Sequence, residues 1–170
     1  MSFVTGAAMR SLEDAAFRRG ISAESLMDLA GKGIALRLIA QFPEPGVAIA
    51  YVGKGNNGGD ALVALRHLRA AGWQIALRGA YPEIEWGTLP RRKLRELGDC
   101  LPPAAGFNAT RGPCLLLDGL LGLGARGPLR PPLSRLAVEM AALREQRGAV
   151  IAAMDLPSGL DADSGEGDGV

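Results

Sequence analysis

An open α/β fold built on a parallel sheet is the class that the 170-residue sequence predicts, and three observations carry that prediction. Short apolar runs at Val47-Ala48-Ile49-Ala50-Tyr51-Val52, Cys114-Leu115-Leu116-Leu117 and Val150-Ile151-Ala152-Ala153-Met154 have the length and continuous hydrophobicity of strands buried on both faces. Each run ends in a polar, turn-rich loop. The first two loops lead into helical periodicity, and a strand, helix, strand succession requires a parallel crossover.

Taken in order, Thr5 can cap a first helix whose apolar face is Ala8, Met9, Leu12, Ala15 and Ala16, with Gly20 ending it and Arg10, Glu13, Asp14, Arg18 and Arg19 on its wet side. A second helix starts from Ser22, carries Leu26, Met27, Ala30, Ile34 and Leu38, and stops before Pro43, since proline disfavours helix in the residue ahead of it. Gly31 and Gly33 weaken that helix, so another backbone is expected to pack closely against their face. After the first strand come the loop Gly53-Lys54-Gly55-Asn56-Asn57-Gly58-Gly59-Asp60, a helix to about Ala71 and a strand over Trp73 to Leu77. His67, the single histidine, reads as a solvated helical side chain. A short helix around Leu89 to Leu97 presents Arg91, Arg92, Lys93 and Arg95 as a solvated face, and Pro- and Gly-rich loop continues to Pro113. The strand from Cys114 delivers Asp118, a second glycine-rich loop runs from Gly119 to Pro128, and a proline-led helix covers about Leu133 to Glu145. The last strand delivers Asp155-Leu156-Pro157-Ser158-Gly159-Leu160-Asp161.

The composition narrows the function. Lys+Arg 19 against Asp+Glu 18 leaves a net charge of +1, which offers no electrostatic case for nucleic acid or an anionic membrane. Cys100 and Cys114 form no CxxC and have no neighbouring His, so the pattern points to a reducing, cytoplasmic setting with neither zinc nor a disulfide framework. No apolar run approaches the roughly 20 residues of a membrane span, and no signal peptide opens the chain. A single domain is expected.

The site follows from topology. Parallel strands place their carboxyl ends side by side, so Asn57, Asp60, Asp118, Asp155 and Ser158 can converge on one crevice, although each aspartate alone is more often a cap or turn residue. Glycines at 53, 55, 58 and 59 are expected to allow positive φ and close approach of a ligand, and the following helix start favours a phosphate. Gly53-x-Gly55-x-x-Gly58 also matches the dinucleotide fingerprint, which expects an acidic residue about 20 positions on. That neighbourhood reads Leu77-Arg78-Gly79-Ala80, so an NADP-dependent oxidoreductase is an alternative with Arg78 facing a 2′-phosphate. Carboxylate, amide and hydroxyl oxygens without His or Cys are ligands for an alkali or alkaline-earth cation.

With the pattern Met9…Glu13…Ala16…Gly20…Leu26-Met27…Ala30-Gly31, the GxGNNGGD loop at 53–60, Asp-x-Leu-Leu-Gly-x-Gly-x-x-Gly-Pro from Asp118 and Asp155-x-Pro-Ser-Gly-Leu-Asp, the sequence resembles the YjeF N-terminal domain family of NAD(P)HX epimerases over nearly its whole length. The resemblance implies a three-layer α/β/α Rossmann-like fold with a mainly parallel sheet, and a reaction that interconverts the R and S forms of hydrated NADH and NADPH in nucleotide repair. It implies substrate contacts from Asn56, Asn57, Gly58, Gly59 and Asp60, from Gly122, Leu123, Gly124, Ala125, Arg126, Gly127 and Pro128, and from Asp155. It implies a potassium ion (K+) on Asn57, Asp118 and Ser158; the reaction itself needs a group that protonates the leaving oxygen and deprotonates water, for which Asp118 and Asp155 are the candidates. It also implies a homodimer, and residues 1–170 as one domain cut from a longer protein that can carry a fused dehydratase. Ala61 stands where the family commonly has Gly, and Leu123 where it commonly has Thr, which removes a hydroxyl donor. A further alternative is a non-catalytic dimeric scaffold like the relatives in messenger RNA decapping, which would have no need of the NNGGD loop or the strand-end aspartates.

Overall fold

The structure, a computed structural model, describes residues 5–100, 112–125 and 127–167. The chain order is α1 (Gly6–Arg18), α2 (Ala23–Gln41), β1 (Val47–Val52), α3 (Asn56–Ala70), β2 (Gln74–Gly79), a 3-10 turn at Glu83–Glu85, α4 (Thr88–Leu97), β3 (Cys114–Gly119), α5 (Leu133–Arg147) and β4 (Val150–Ala153). All strand pairs are parallel and the order across the sheet is β2-β1-β3-β4. The chain winds outward in one direction from β1 to β2 and in the other from β3 to β4. The β1/β3 junction is therefore the switch point at which ligands bind in open α/β sheets.

Strand parity builds the three layers. Ala48, Ala50 and Val52 of β1 and Leu115 and Leu117 of β3 pack with Leu38 of α2, Leu62, Leu65 and Leu68 of α3 and Leu97 of α4. The alternate residues Val47, Ile49, Tyr51 and Leu116 face α5, against Met140, Leu136 and Leu143. Both faces are covered, as the continuous apolar runs require. Among the described residues, no helix is long and apolar enough to cross a membrane.

Local chemistry sets the boundaries. Thr5 and Ser22 cap α1 and α2 by accepting from the backbone N–H of Ala8 and Ser25. Strand β2 continues two residues beyond the expected Leu77 because pairing to β1 persists to Val52↔Gly79. Asp118 lies inside β3 rather than after it, paired with Tyr51 on one side and Ala153 on the other. The expected loop to Pro113 lies, for 101–111, outside the described residues.

Two expectations about charge and side-chain exposure are corrected. Lys93 is not solvated: it is 3% exposed, with Nζ donating to Glu24 (3.0 Å), Asp28 (3.0 Å) and Glu96 (3.1 Å). Arg66 of α3 bridges Glu96 at 2.6 Å, so the ion network ties α2, α3 and α4 together. Burial alone would depress the Lys93 pKa, but its hydrogen bonds to Asp28, Glu24 and Glu96 prevail and raise it. His67 is half-buried instead of fully solvated, because α3 is covered on most of its circumference.

Of the two glycines expected to admit a neighbouring backbone, one does. A Cβ on Gly31 would fall 2.6 Å from the Asp60 carbonyl oxygen and 2.6 Å from the Val63 Cβ, whereas one on Gly33 would meet nothing within 4 Å. Gly31→Ala is therefore expected to cost about 1–3 kcal/mol by forcing α2 off α3. Gly33→Ala should instead add roughly 0.5–1 kcal/mol through helix propensity. Urea unfolding of the two variants checks the pair, and a loss at Gly33 equal to that at Gly31 would contradict the packing assignment.

Candidate functional site

At the carboxyl edge of β1, β3 and β4 lies a crevice of about 540 Å³, within the size range of small-molecule sites. Its walls come from the first loop and α3 (Lys54, Gly55, Asn56, Asn57, Asp60), from the second loop (Leu120 to Ala125), from Asp155 after β4, and from Arg10 and Glu13 of α1. Gly55 is the N-cap of α3 and no side chain caps it, and Gly55, Asn56 and Asn57 line the crevice, so the positive end of the helix borders it.

The loop glycines do a different job from the expected one. None of Gly53, Gly55, Gly58 and Gly59 takes a positive φ. A Cβ on Gly53 would run into the Leu120 carbonyl, one on Gly58 would sit 2.7 Å from the Val52 Cγ1 and 2.8 Å from the Gly53 carbonyl, and one on Gly59 would meet the Met27 sulfur at 2.5 Å. Gly58 and Gly59 are buried beneath the loop and absent from the crevice wall. Their small size seats the loop against β1 and α2, while Gly55 is the position open to a ligand.

The second loop is held by side chains from all three strand ends. Asp118 is completely buried; its Oδ1 accepts from the Leu120 N–H (3.2 Å) and the Ser158 hydroxyl (2.6 Å), and its Oδ2 accepts from the Ser158 N–H (2.7 Å). Ser158 Oγ in turn accepts from the Leu121 N–H at 3.0 Å, and Asn57 Nδ2 donates to the Leu121 carbonyl at 2.7 Å. Asp155 accepts from the Leu123 N–H at 2.8 Å and is exposed on the crevice. A Cβ on Gly122 would press on the Asp155 carboxylate at 3.0 Å and on Asn57 at 3.4 Å, so that glycine lets three loops meet. Ala61 is fully buried against Gly119, whose own Cβ would fall 2.7 Å from the Ala61 methyl.

The structure thus brings Asn56, Asn57, Asp60, Gly122, Leu123, Gly124, Ala125 and Asp155 to one crevice. Gly127 and Pro128 line an adjoining pocket of about 340 Å³ with 159–161, and Leu121 and Ala125 are shared by both. Arg126 lies outside the described residues. Asp118 and Ser158 sit beneath the crevice surface, where Asp118 cannot touch a molecule bound above. Arg10 and Glu13, read from sequence as wet helix positions, are crevice residues; the alternation of α1 carries no sign of this, because the placement of α1 is tertiary.

Two carboxyls differ electrostatically. Burial, with the neighbouring charges of Asp155 and Glu13, raises Asp60 from 3.8 to about 7. Burial also raises Asp118, opposed by its hydrogen bonds from Ser158 and Leu120. Between about pH 4 and 7 the folded Asp60 keeps a proton that the unfolded chain releases. Its stabilising contribution is complete below about pH 4 and is lost as pH rises toward 7. Asp60→Asn should flatten that decline, by up to about 4 kcal/mol for three pKa units. Urea midpoints of both proteins from pH 4 to 8 test this, and parallel curves would overturn it.

The donor set beneath the crevice is made of hard oxygen ligands, the kind that alkali and alkaline-earth cations take. Asp118 is a fully buried carboxylate that no ion pair reaches among the described residues. Asn57 Oδ1 has no hydrogen-bond partner there either, and Ser158 and the Leu121 carbonyl add neutral oxygens.

The model of a family described as "YjeF-related protein N-terminus" matches residues 23–170. The bifunctional NAD(P)H-hydrate repair enzyme Nnr of Archaeoglobus fulgidus is 36% identical over 165 residues, covering 97% of this chain and 34% of that protein. The NAD(P)H-hydrate epimerase of Bordetella pertussis is 37% identical over 158 residues, covering 93% of this chain and 66% of that one. The chain therefore spans one third to just under two thirds of these relatives' lengths. In fold, it is similar to the crystal structure of yeast ynu0, with a TM-score of 0.76 at 22% identity, covering 96% of this chain and 74% of that one.

Proposed function

We propose, from the premise that this chain belongs to the family of YjeF-related protein N-termini, that it is an isomerase which interconverts the R and S forms of hydrated NADH and NADPH. The observation that carries the reading is the crevice at the β1/β3 switch point, where the uncapped start of α3 and the exposed Asp155 share one wall system. Asn56, Asn57, Asp60 and the backbone of 122–125 hold the dinucleotide in this reading. Gly127 and Pro128 take its further reach into the adjoining pocket.

The chemistry needs little machinery. The hydrated carbon adjoins the ring nitrogen, whose lone pair expels the hydroxyl and leaves an iminium-like ring. A carboxyl gives a proton to the departing oxygen, and a carboxylate takes one from the water that re-enters on the other face. Asp155 and Asp60 both reach the crevice, and Asp60 keeps its proton to about pH 7. Asp118, buried and hydrogen-bonded through both oxygens, is assigned to positioning the second loop and, with Asn57 and Ser158, to holding K+. When bound, K+ supplies a fixed positive charge that offsets the burial of Asp118.

The reading extends to a homodimer, for which Leu12, Phe17, Leu29 and Leu36 of α1 and α2 expose apolar surface. Incubating the protein with a single epimer of hydrated NADPH and following the epimer ratio by chromatography tests the function. Epimerisation no faster than in buffer would refute it.

A further inference from the structure

Resting on the reading above, the geometry points to Arg10 of α1 as the side chain that grips the diphosphate of the dinucleotide. The crevice wall carries three carboxyl groups, Glu13, Asp60 and Asp155, of which Asp60 holds its proton to about pH 7, beside two cations, Arg10 and Lys54. A diphosphate entering such a rim needs a cation free to meet it. Lys54 is engaged, its Nζ lying 4.9 Å from the centre of the Tyr81 ring. Arg10 has neither a hydrogen bond nor an ion pair among the described residues. Its guanidinium folds back along α1 toward Asp163, so that a Cβ on Gly6 would lie 3.9 Å from Nη1 and 3.6 Å from the Asp163 Oδ1; an entering diphosphate meets the guanidinium with that carboxylate in its neighbourhood.

Residue chemistry and placement agree. A guanidinium presents a planar fork of donors that meets phosphate oxygens in pairs, and Arg10 lines the crevice that the start of α3, uncapped by any side chain, also lines. Glu13, one turn further along α1, faces the same crevice close enough to Asp60 to influence its charge. Helix α1 is thus a wall of the site as well as a support, although the family match begins only at Ala23. Because the diphosphate is common to both hydrated dinucleotides, Arg10 sets affinity for the class and not the choice between them.

Two readouts on Arg10→Ala and Arg10→Lys test this: epimerisation of hydrated NADH and hydrated NADPH, and calorimetric binding of ADP-ribose, a diphosphate probe that undergoes no reaction. Arg10→Ala should raise KM about tenfold or more for both substrates, with kcat nearly unchanged and ADP-ribose binding weakened by a similar factor. Lysine, which keeps the charge but not the paired donors, should restore only part of the loss, and the salt dependence of KM should shrink in the alanine variant. Unchanged ADP-ribose affinity in Arg10→Ala would overturn the assignment, as would a loss confined to hydrated NADPH. If the unaltered chain binds ADP-ribose through Arg10 yet shows no epimerisation, the function fails while this inference stands. If it binds no ADP-ribose at all, the inference fails whatever the activity.

Discussion

Asp155→Asn is expected to lower kcat for epimerisation by about 10²–10⁴-fold, the range that a positioned acid–base group contributes. Asp155 is exposed on the crevice, where its Oδ2 accepts a hydrogen bond from the Leu123 N–H at 2.8 Å. An asparagine oxygen can accept the same bond, so the second loop should keep its path and the substrate should bind with little change. What is lost is the capacity to exchange a proton with the oxygen that leaves and returns. Time courses of the epimer ratio, with dissociation constants measured alongside, separate the two effects. Retention of a tenth or more of kcat would move the proton to Asp60, the other crevice carboxyl. Asp60→Asn would then carry the large loss.

The layers of the fold were legible because strand burial leaves a mark in the sequence. Val47 to Val52 is apolar at every position because one parity meets α3 and the other α5, and no surface strand would read so. Cap residues were equally plain: Thr5 and Ser22 have the hydroxyl oxygen that a helix start needs, and both accept the expected bonds. Strand ends were less so, since Asp118 is a polar residue inside a ladder, and only its two partner strands keep it there.

Convergence of the loops could be read from strand topology alone, and Asn57, Asp60 and Asp155 meet as expected. Depth could not. Whether a carboxylate after a buried strand points up into a crevice or down among backbone donors depends on which loop folds over it, and Ser158 and Leu120 close over Asp118. Lys93 illustrates the same blindness on the far side of α3. In sequence it stands in a basic cluster, yet three carboxylates from two helices enclose it. Glycine was ambiguous for a related reason: the residue that admits a ligand also admits a neighbouring side chain, and at 58 and 59 the neighbours are Val52 and Met27.

Asp118→Asn should destabilise the fold by about 1–3 kcal/mol and abolish the response to K+. Asp118 accepts three hydrogen bonds, from the Leu120 N–H, the Ser158 N–H and the Ser158 hydroxyl. Asparagine offers one oxygen and one amide nitrogen, so in either orientation a donor faces a buried backbone N–H. Leaving one such group unpaired costs about 1–3 kcal/mol. Relief of the buried charge offsets part of this, since burial already raises the Asp118 pKa. A bound cation would supply a second difference of similar size. If K+ binds the folded chain alone, a concentration a hundredfold above its dissociation constant stabilises the unaltered protein by about 2.7 kcal/mol. Unfolding in potassium chloride against choline chloride at equal ionic strength reads that increment directly. It should be present in the unaltered chain, reduced in Asn57→Ala and Ser158→Ala, and absent in Asp118→Asn. Equal stabilisation of all four proteins by potassium would remove the cation from Asp118. An unchanged urea midpoint in Asp118→Asn would show that the buried hydrogen bonds do not hold the second loop.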